Sequence, residues 1–260
     1  MHRRVKISAV IPCHDEENGI AYVLSRMPDF IDEVVVVANS CTDRTEEVAR
    51  AMGAKVVVEP RKGYGRAYKS GIAAASHDIV VTMDGDGTYP TIAIGYLVDV
   101  LCEDDLDFVS AWRLPIDWKK GPELIQRFFG NKVLTWTLWL LYLRVIRDSQ
   151  SGMWVFRKSV VEHLDVTSDG MAFSEELKIE AFTHPEVKAR EVAIQFKYVE
   201  RIGASKLHLW RDGVRNLVFL AQKRMTLGRG RKRIPGRPTS EMLAKLPQVD
   251  EPVHSSALGH

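Results

Sequence analysis

Val80-Val81-Thr82-Met83-Asp84-Gly85-Asp86-Gly87 runs an apolar, β-branched segment straight into two aspartates separated by one glycine. The run from Ile79 to Met83 reads as a short buried strand, so its end hands both carboxylates to a glycine-rich turn. Aspartate is poor in strands. Two carboxylates this close repel each other unless a positive charge lies between them. A hard divalent cation, Mg²⁺ or Mn²⁺, fits such an all-oxygen pair and can bridge it to a diphosphate. A bare Asp-x-Asp is also what a solvated Asp-Gly turn looks like, so its meaning depends on the surrounding chain.

The flanking segments alternate regularly. Val5 to Ile11 is an apolar run ending in Pro12, and Glu16 to Arg26 has helical spacing. Glu33 to Val37 is a short β-branched run, and Thr42 to Ala51 reads as a helix closed by Met52-Gly53. Val56 to Val58, Tyr64 to Ala75, Ile79 to Met83, Thr91 to Leu101 and Phe108-Val109 continue the strand–helix alternation. The pattern predicts an α/β fold, a mostly parallel sheet with helices on both faces. Ligands of such sheets sit at the carboxyl ends of the strands. Four loops are then of interest: Pro12 to Glu16, Ala38-Asn39-Ser40, Asp84 to Gly87, and Trp112-Arg113.

The second part is different in kind. Pro122 to Arg147 reads as one long helix or two, rich in Trp136, Trp139, Leu140, Leu141 and Tyr142. Mixed strand and helix signals follow to about Val199, then an amphipathic helix from Leu207 to Met225. Beyond Leu227 the composition turns to Gly, Arg, Lys, Pro and Ser, which predicts a disordered tail. The formal net charge is only +2 over 260 residues, so bulk charge gives no reason to expect a nucleic-acid partner. The bases are clustered: Arg224, Arg229, Arg231, Lys232, Arg233 and Arg237 follow one another with no acid between them. Such a run is either a solvated tail or a contact for anionic lipid, at about 1 kcal/mol per base near the surface. Cys13, Cys41 and Cys102 are scattered and odd in number, which fits a reducing compartment. The longest apolar stretch, Val133 to Leu143, is far short of the roughly 20 residues that cross a bilayer.

Val10-Ile11-Pro12 with Asp15-Glu16-Glu17 resembles the opening of family-2 glycosyltransferases. Val36-Val37-Ala38-Asn39-Ser40-Cys41-Thr42-Asp43 resembles that family's second-strand signature, and Lys62-Gly63-Tyr64-Gly65-Arg66-Ala67 its glycine-lysine loop. With the Asp84–Asp86 turn, the order and spacing of four motifs match across the first 115 or so residues. Further on, Asp148-Ser149-Gln150-Ser151-Gly152, Phe173-Ser174-Glu175-Glu176 and Arg201-Ile202-Gly203-Ala204-Ser205-Lys206-Leu207 resemble the dolichyl- and polyprenyl-phosphate sugar synthases of the family. The resemblance implies a GT-A, Rossmann-like fold with C-terminal amphipathic interface helices. It also implies one glycosyltransferase domain over 1–228, with a nucleotide-sugar half over 1–115, an acceptor and membrane-interface half over 116–228, and a basic tail over 229–260.

It implies roles for particular residues as well. Pro12, Asp15, Glu16, Asn39, Lys62 and Lys206 would bind the donor. Asp84 and Asp86 would hold the metal and diphosphate, and Gln150 and Ser151 would shape the sugar site. Arg113, Arg127, Asn131 and Arg201 would cradle the acceptor phosphate, a task that suits converging guanidinium forks. Each of these arginines taken alone is equally a surface ion pair. A phosphate is already ionised at neutral pH, so transfer needs positioning and charge neutralisation rather than a strong base. No Ser-His-Asp or Cys-His device is visible, and His14 reads as packing against the base.

Two departures stand out. Ala38-Asn39-Ser40-Cys41 replaces the usual Asp-Asp-Gly-Ser. A single amide acceptor at Asn39 suits the one imino donor of uracil better than the paired donors of guanine, which favours a uridine over a guanosine nucleotide. Thr88 stands where Gln or Ser is common. The reading is therefore a metal-dependent inverting hexosyltransferase using a UDP-glucose- or GDP-mannose-type donor and a polyprenyl or dolichyl phosphate. It would be cytoplasmic and peripheral on the cytoplasmic membrane face, through Phe128-Phe129, Trp136, Trp139 and Tyr142 and the helix from Leu207, with a separate membrane protein as a possible partner. Two other readings fit the same residues: a transferase for a soluble acceptor, and an idle nucleotide-sugar-binding membrane adaptor.

Overall fold

The computed structural model describes residues 5–115, 133–144, 146–196 and 209–226. Seven strands form one sheet: β1 (Ile7–Cys13), β2 (Glu33–Asn39), β3 (Lys55–Glu59), β4 (Ile79–Thr82), β5 (Phe108–Pro115), β6 (Trp154–Arg157) and β7 (Ala189–Phe196). Their order is β3-β2-β1-β4-β6-β5-β7. All pairings are parallel except those of β6, which runs antiparallel to both β4 and β5. The expected α/β sheet is present, and β6 and β7 extend it with strands from the second half of the chain.

The helices are α1 (Glu17–Leu24), α2 (Thr45–Ala51), α3 (Tyr64–Ala74), α4 (Ala93–Glu103), α5 (133–142), α6 (Phe173–Thr183) and α7 (Leu209–Thr226). Alternation of side chains along the strands gives the sheet two apolar faces. Ile7, Ile11, Val36, Val81, Val109 and Val155 pack with α1, α2 and α4 on one face. Val10, Val35, Val37, Val80, Phe108 and Trp154 pack with α3, α5, α6 and α7 on the other.

Two helices depart from simple amphipathic design. α5 buries Leu134, Leu138 and Tyr142 yet exposes Trp136, Trp139, Leu140 and Leu143 beside its opposite face. Tyr142, expected at a membrane interface, is a core residue whose hydroxyl donates to Leu220 O at 2.7 Å. α7 mixes polar and apolar residues on its inner side, where Leu217 and Phe219 also pack against the core. Asn216, Leu220 and Lys223 face inward, while Val218 and Met225 are exposed. Lys223 is buried and donates to Glu180 (2.7 Å) and Glu176 (3.0 Å) on α6. Arg224, read as the start of the tail, donates to Leu141 O at 2.7 Å and fastens α7 to α5. Among the described residues no helix is long and apolar enough to cross a membrane.

Candidate functional site

The carboxyl ends of β1, β2 and β4 lie side by side, in the register Ser8–Glu33 to Cys13–Ala38 and Ile7–Ile79 to Val10–Thr82. These strand ends and the loops that leave them carry Pro12, Asp15, Glu16, Asn39, Asp84 and Asp86 of the sequence-predicted site. Two of these loops include a non-glycine residue with left-handed backbone, Asp15 (φ 52°) and Ser40 (φ 54°). Strained backbone of this kind concentrates at ligand sites.

Asp84 follows β4. Its Oδ1 lies 3.2 Å from the hydroxyls of both Tyr64 and Tyr68, which project from successive turns of α3. The one hydroxyl proton of Tyr68 is also within reach of Gly152 O, at 3.3 Å. Burial first, and the neighbouring Asp86 second, push the Asp84 carboxyl up to about 6, against the pull of Tyr64 and Arg113. Asp86 is buried, and its Oδ1 accepts from Thr88 N (3.0 Å) and the Thr88 hydroxyl (2.7 Å). Thr88 thus orients the second carboxylate, a job for which its hydroxyl is sufficient. The turn is tightly enclosed. A Cβ on Gly85 would lie 2.4 Å from Cys13 Sγ and 3.5 Å from Pro12 O, which brings Pro12 against the aspartate turn. A Cβ on Gly152 would lie 2.7 Å from the Tyr64 hydroxyl and 3.2 Å from Asp84 Oδ1.

Arg113, on β5, is gripped by Asp148 in a bidentate pair, Nε to Oδ2 at 2.6 Å and Nη2 to Oδ1 at 2.8 Å. Its guanidinium carbon stands 5.9 Å from the centre of the Tyr89 ring. The loop from Asp148 to Gly152 is itself secured from below. Buried Lys178 donates to Asp148 O (2.6 Å) and Ser149 O (3.1 Å), and Tyr89 accepts from Gly152 N (2.8 Å). Burial drives the Lys178 ammonium down to about 8 and Glu191, which accepts from Arg147 N and Asp148 N, up to about 7. Ser151 is buried in this loop, and Gln150 is half-buried and donates to Glu175.

At the other end of the edge, Asp15 Oδ1 accepts from Thr42 N (2.6 Å) and Asp43 N (3.3 Å). The Thr42 amide foremost holds this carboxyl below its ordinary value. Glu16 is buried, and its amide donates to Thr45 Oγ1 at 2.8 Å. Asp15, Cys41 and Asp43 gather ligand atoms within 4.8 Å of one another. Asp43 nevertheless accepts from Thr45 N (3.0 Å) and Glu17 N (3.0 Å), so this trio knits the first two loops together. His14 Nδ1 faces Asn39 O at 2.8 Å and must donate to it, which leaves Nε2 to accept from Lys62 Nζ at 2.9 Å.

Asn39 differs from expectation. Its Nδ2 donates to Glu59 O (3.1 Å) and Arg61 O (2.8 Å), and its Oδ1 accepts from Gly63 N (2.9 Å). The amide braces the loop that carries Lys62, so the single-acceptor argument for uracil is left with only the second lone pair of Oδ1.

The fold therefore gathers Pro12, Asp15, Glu16, Asn39 and Lys62 at one end of the edge, and Asp84, Asp86, Arg113, Gln150 and Ser151 at the other. Arg127, Asn131, Arg201 and Lys206, with Phe128, Phe129 and the tail, lie outside the described residues. Sequence reasoning passed over Tyr64, Tyr68 and Tyr89 around Asp84, and Lys178 beneath the Asp148 loop. The i, i+4 spacing of Tyr64 and Tyr68, directly after Lys62-Gly63, was an available signal. The donor set suits a divalent cation: two carboxylates on one turn, one of them raised first by burial and then by the charge of the other.

Comparison with known proteins agrees with this architecture. A hexosyltransferase of low-salt glycan biosynthesis from Haloferax volcanii is 32% identical over 222 residues, 82% of this chain and 52% of that protein. The chain thus spans about half the length of that relative. A dolichyl-phosphate hexose transferase from the same organism is 32% identical over 213 residues, covering 80% of this chain and 89% of that one. In fold, the chain resembles glucosyl-3-phosphoglycerate synthase from Mycobacterium tuberculosis, solved with Mn²⁺, UDP and phosphoglyceric acid. The TM-score is 0.70 at 22% identity, over 87% of this chain and 80% of that one. The family model for glycosyl transferase family 2 matches residues 8–165, the span from β1 through the aspartate turn and past β6. The sheet, its loaded carboxyl edge and this match together make the chain a member of glycosyl transferase family 2, and so a glycosyltransferase.

Proposed function

We propose that the chain transfers a hexose, with inversion, from a nucleotide-sugar to the phosphate of a polyprenyl or dolichyl lipid at a membrane surface. The observation that carries the donor half is the pair Asp84 and Asp86, two adjoining carboxylates at the end of β4, with Asp84 raised to about 6 by burial first and by Asp86 second. They would hold Mg²⁺ or Mn²⁺, and the bound cation would neutralise the diphosphate as it departs. Pro12, Asp15, Glu16, Asn39 and Lys62 line the nucleotide end of the edge, and Gln150 and Ser151 the sugar. Asp148 fixes the direction in which Arg113 extends, and Arg113, with Arg127, Asn131 and Arg201, would bind the acceptor phosphate. That phosphate needs no base to remove a proton, only in-line placement.

The outer face of α5 supports the lipid acceptor. A helix apolar on both faces needs cover on both, and the sheet covers only one. Trp136, Trp139, Leu140 and Leu143 are exposed there, and the neighbouring α7 exposes Val218 and Met225. Tryptophan favours the boundary between lipid headgroups and acyl chains. The similarity to a dolichyl-phosphate hexose transferase points the same way.

The test is to incubate the protein with Mn²⁺, a panel of radiolabelled UDP- and GDP-sugars and a short polyprenyl phosphate, then extract with organic solvent. Label is expected in the organic phase and lost with Asp86→Ala. Label transferred only to a water-soluble phosphorylated acceptor such as phosphoglyceric acid would overturn the lipid reading. No transfer from any donor would overturn the whole proposal.

A further inference from the structure

Glu175, on the first turn of α6, is fully buried, yet no ion pair joins its carboxyl to a cation among the described residues. Lys178, the nearest base on its own helix, spends its protons on the carbonyls of Asp148 and Ser149. The two oxygens of Glu175 are unequal. Oε1 accepts from Gln150 Nε2, on the loop after Asp148, and from Asn216 Nδ2 of α7 at 3.3 Å. Oε2 is buried with no hydrogen-bond partner. Burying a carboxyl is costly, and nothing in the packing of α6 requires one here. The consequence of its presence falls on Gln150. An amide whose NH₂ is held by an acceptor must turn its carbonyl the other way. Gln150 is half-buried and Glu175 wholly so, which puts the held end inside and the carbonyl outward.

We infer that Glu175 is a positioning residue for the transferred sugar, locking the Gln150 amide so that it offers a hydrogen-bond acceptor to a sugar hydroxyl. This rests on the reading above that Gln150 lines the sugar subsite. Burial pushes Glu175 up to about 8, against Lys178, Gln150 and Asn216. The lock does not depend on the titration. When the carboxyl is protonated, its proton belongs on Oε2, because two N–H groups already point at Oε1. Oε1 is an acceptor in either state.

The test compares binding of nucleoside diphosphate with binding of the matching nucleotide-sugar, by calorimetry with Mn²⁺ present. Glu175→Met keeps the length and removes the acceptor. It should weaken nucleotide-sugar binding about 5- to 10-fold, the scale of one hydrogen bond, and leave the nucleoside diphosphate unchanged. Glu175→Gln keeps a carbonyl at Oε1 and should bind like the wild type. Gln150→Ala should reproduce the loss, and Gln150→Ala combined with Glu175→Met should add nothing further. Equal weakening of both ligands by Glu175→Met, or losses that multiply in the double variant, would overturn the inference. A wild-type protein that binds no nucleoside diphosphate would sink the parent reading and this one with it. Binding of both ligands with no effect of Glu175→Met would sink this one alone.

Discussion

The outer face of α5 gives the membrane reading a quantitative test. Trp136 is 75% exposed and Leu140 is 69% exposed, one turn apart on the face turned away from Leu134 and Leu138. Replacing both with serine removes apolar surface that touches little of the protein, so folding stability should move by no more than about 0.5 kcal/mol. Fully removing such a side chain from water is worth about 1.5–3 kcal/mol. Scaled to the exposed fractions, the pair offers a bilayer roughly 2–4 kcal/mol. At 1.4 kcal/mol per tenfold, the double variant should partition into vesicles about 30- to 1000-fold less well. The lower end is the better expectation, because an interfacial helix inserts only its outermost atoms. The assay is cosedimentation with vesicles carrying anionic lipid, at low salt and at about 0.5 M salt. Any contribution from basic residues is screened at the higher salt, whereas the apolar contribution survives. Leu138→Ser is the contrast: it should damage the fold, since Leu138 is fully buried. Equal partitioning of wild type and double variant at high salt, with both folded, would refute the assignment of this face to lipid.

Other consequences can be checked separately. Leu143 adopts φ 52° at the end of α5, a left-handed conformation costing an ordinary residue about 1–2 kcal/mol. Leu143→Gly should leave thermal stability unchanged or slightly raised while weakening vesicle binding several-fold; a less stable variant that binds vesicles equally well contradicts this. In Gly152→Ala the new methyl would sit 2.7 Å from the Tyr64 hydroxyl, so that hydroxyl must retreat from Asp84. Losing a hydrogen bond to a carboxylate, about 1.5–3 kcal/mol of stability, should lower the melting temperature and, with Asp84 disturbed, slow transfer; wild-type stability and kinetics together would refute it. Unfolded Glu175 loses its proton near 4.5 and the folded one near about 8. Between those values unfolding releases a proton, so this residue makes stability fall as pH rises through that window. Urea midpoints at pH 6 and 8 should therefore differ less in Glu175→Gln than in the wild type, and identical differences in the two proteins would count against the shift.

Much of the fold was legible because parallel strands covered on both faces are short apolar runs, and the chain punctuates them with glycine, proline and acidic turns. The position of the Asp84–Asp86 turn was legible for the same reason, because the buried run Ile79 to Met83 ends directly in it. The direction of β6 was not. Trp154 to Phe156 is buried on both faces, and an all-apolar run reads the same either way. α7 was misread because amphipathic periodicity assumes that charge faces water. Here Glu175, Glu176 and Glu180 are buried on α6, and they draw Asn216 and Lys223 inward. Lys223 is buried through its ion pairs to α6, while Leu217, Phe219 and Leu220 still pack inward and Val218 and Met225 are turned out. The partners of Asn39 were not legible for a related reason. A side-chain amide near a ligand edge looks available in a sequence, but three backbone partners from the next loop had already engaged it.

The mixed inner side of α7 and the doubly apolar α5 belong to one arrangement. Tyr142 and Arg224 fasten the two helices together, so their exposed apolar residues move as a unit. From Leu143, on the outward face, the chain needs only the step to Asp148 to reach the carboxylate that grips Arg113. Five residues span at most about 17 Å even fully extended. The Leu143 end of the Trp136–Leu143 face and the Asp148 that grips Arg113 are therefore separated by no more than about 17 Å of chain. The nucleotide loops at β1 and β2 lie further along the carboxyl edge, beyond Asp84. A water-soluble donor and a membrane-bound phosphate would then approach the aspartate turn from different sides, so neither has to leave its own phase for the sugar to pass between them.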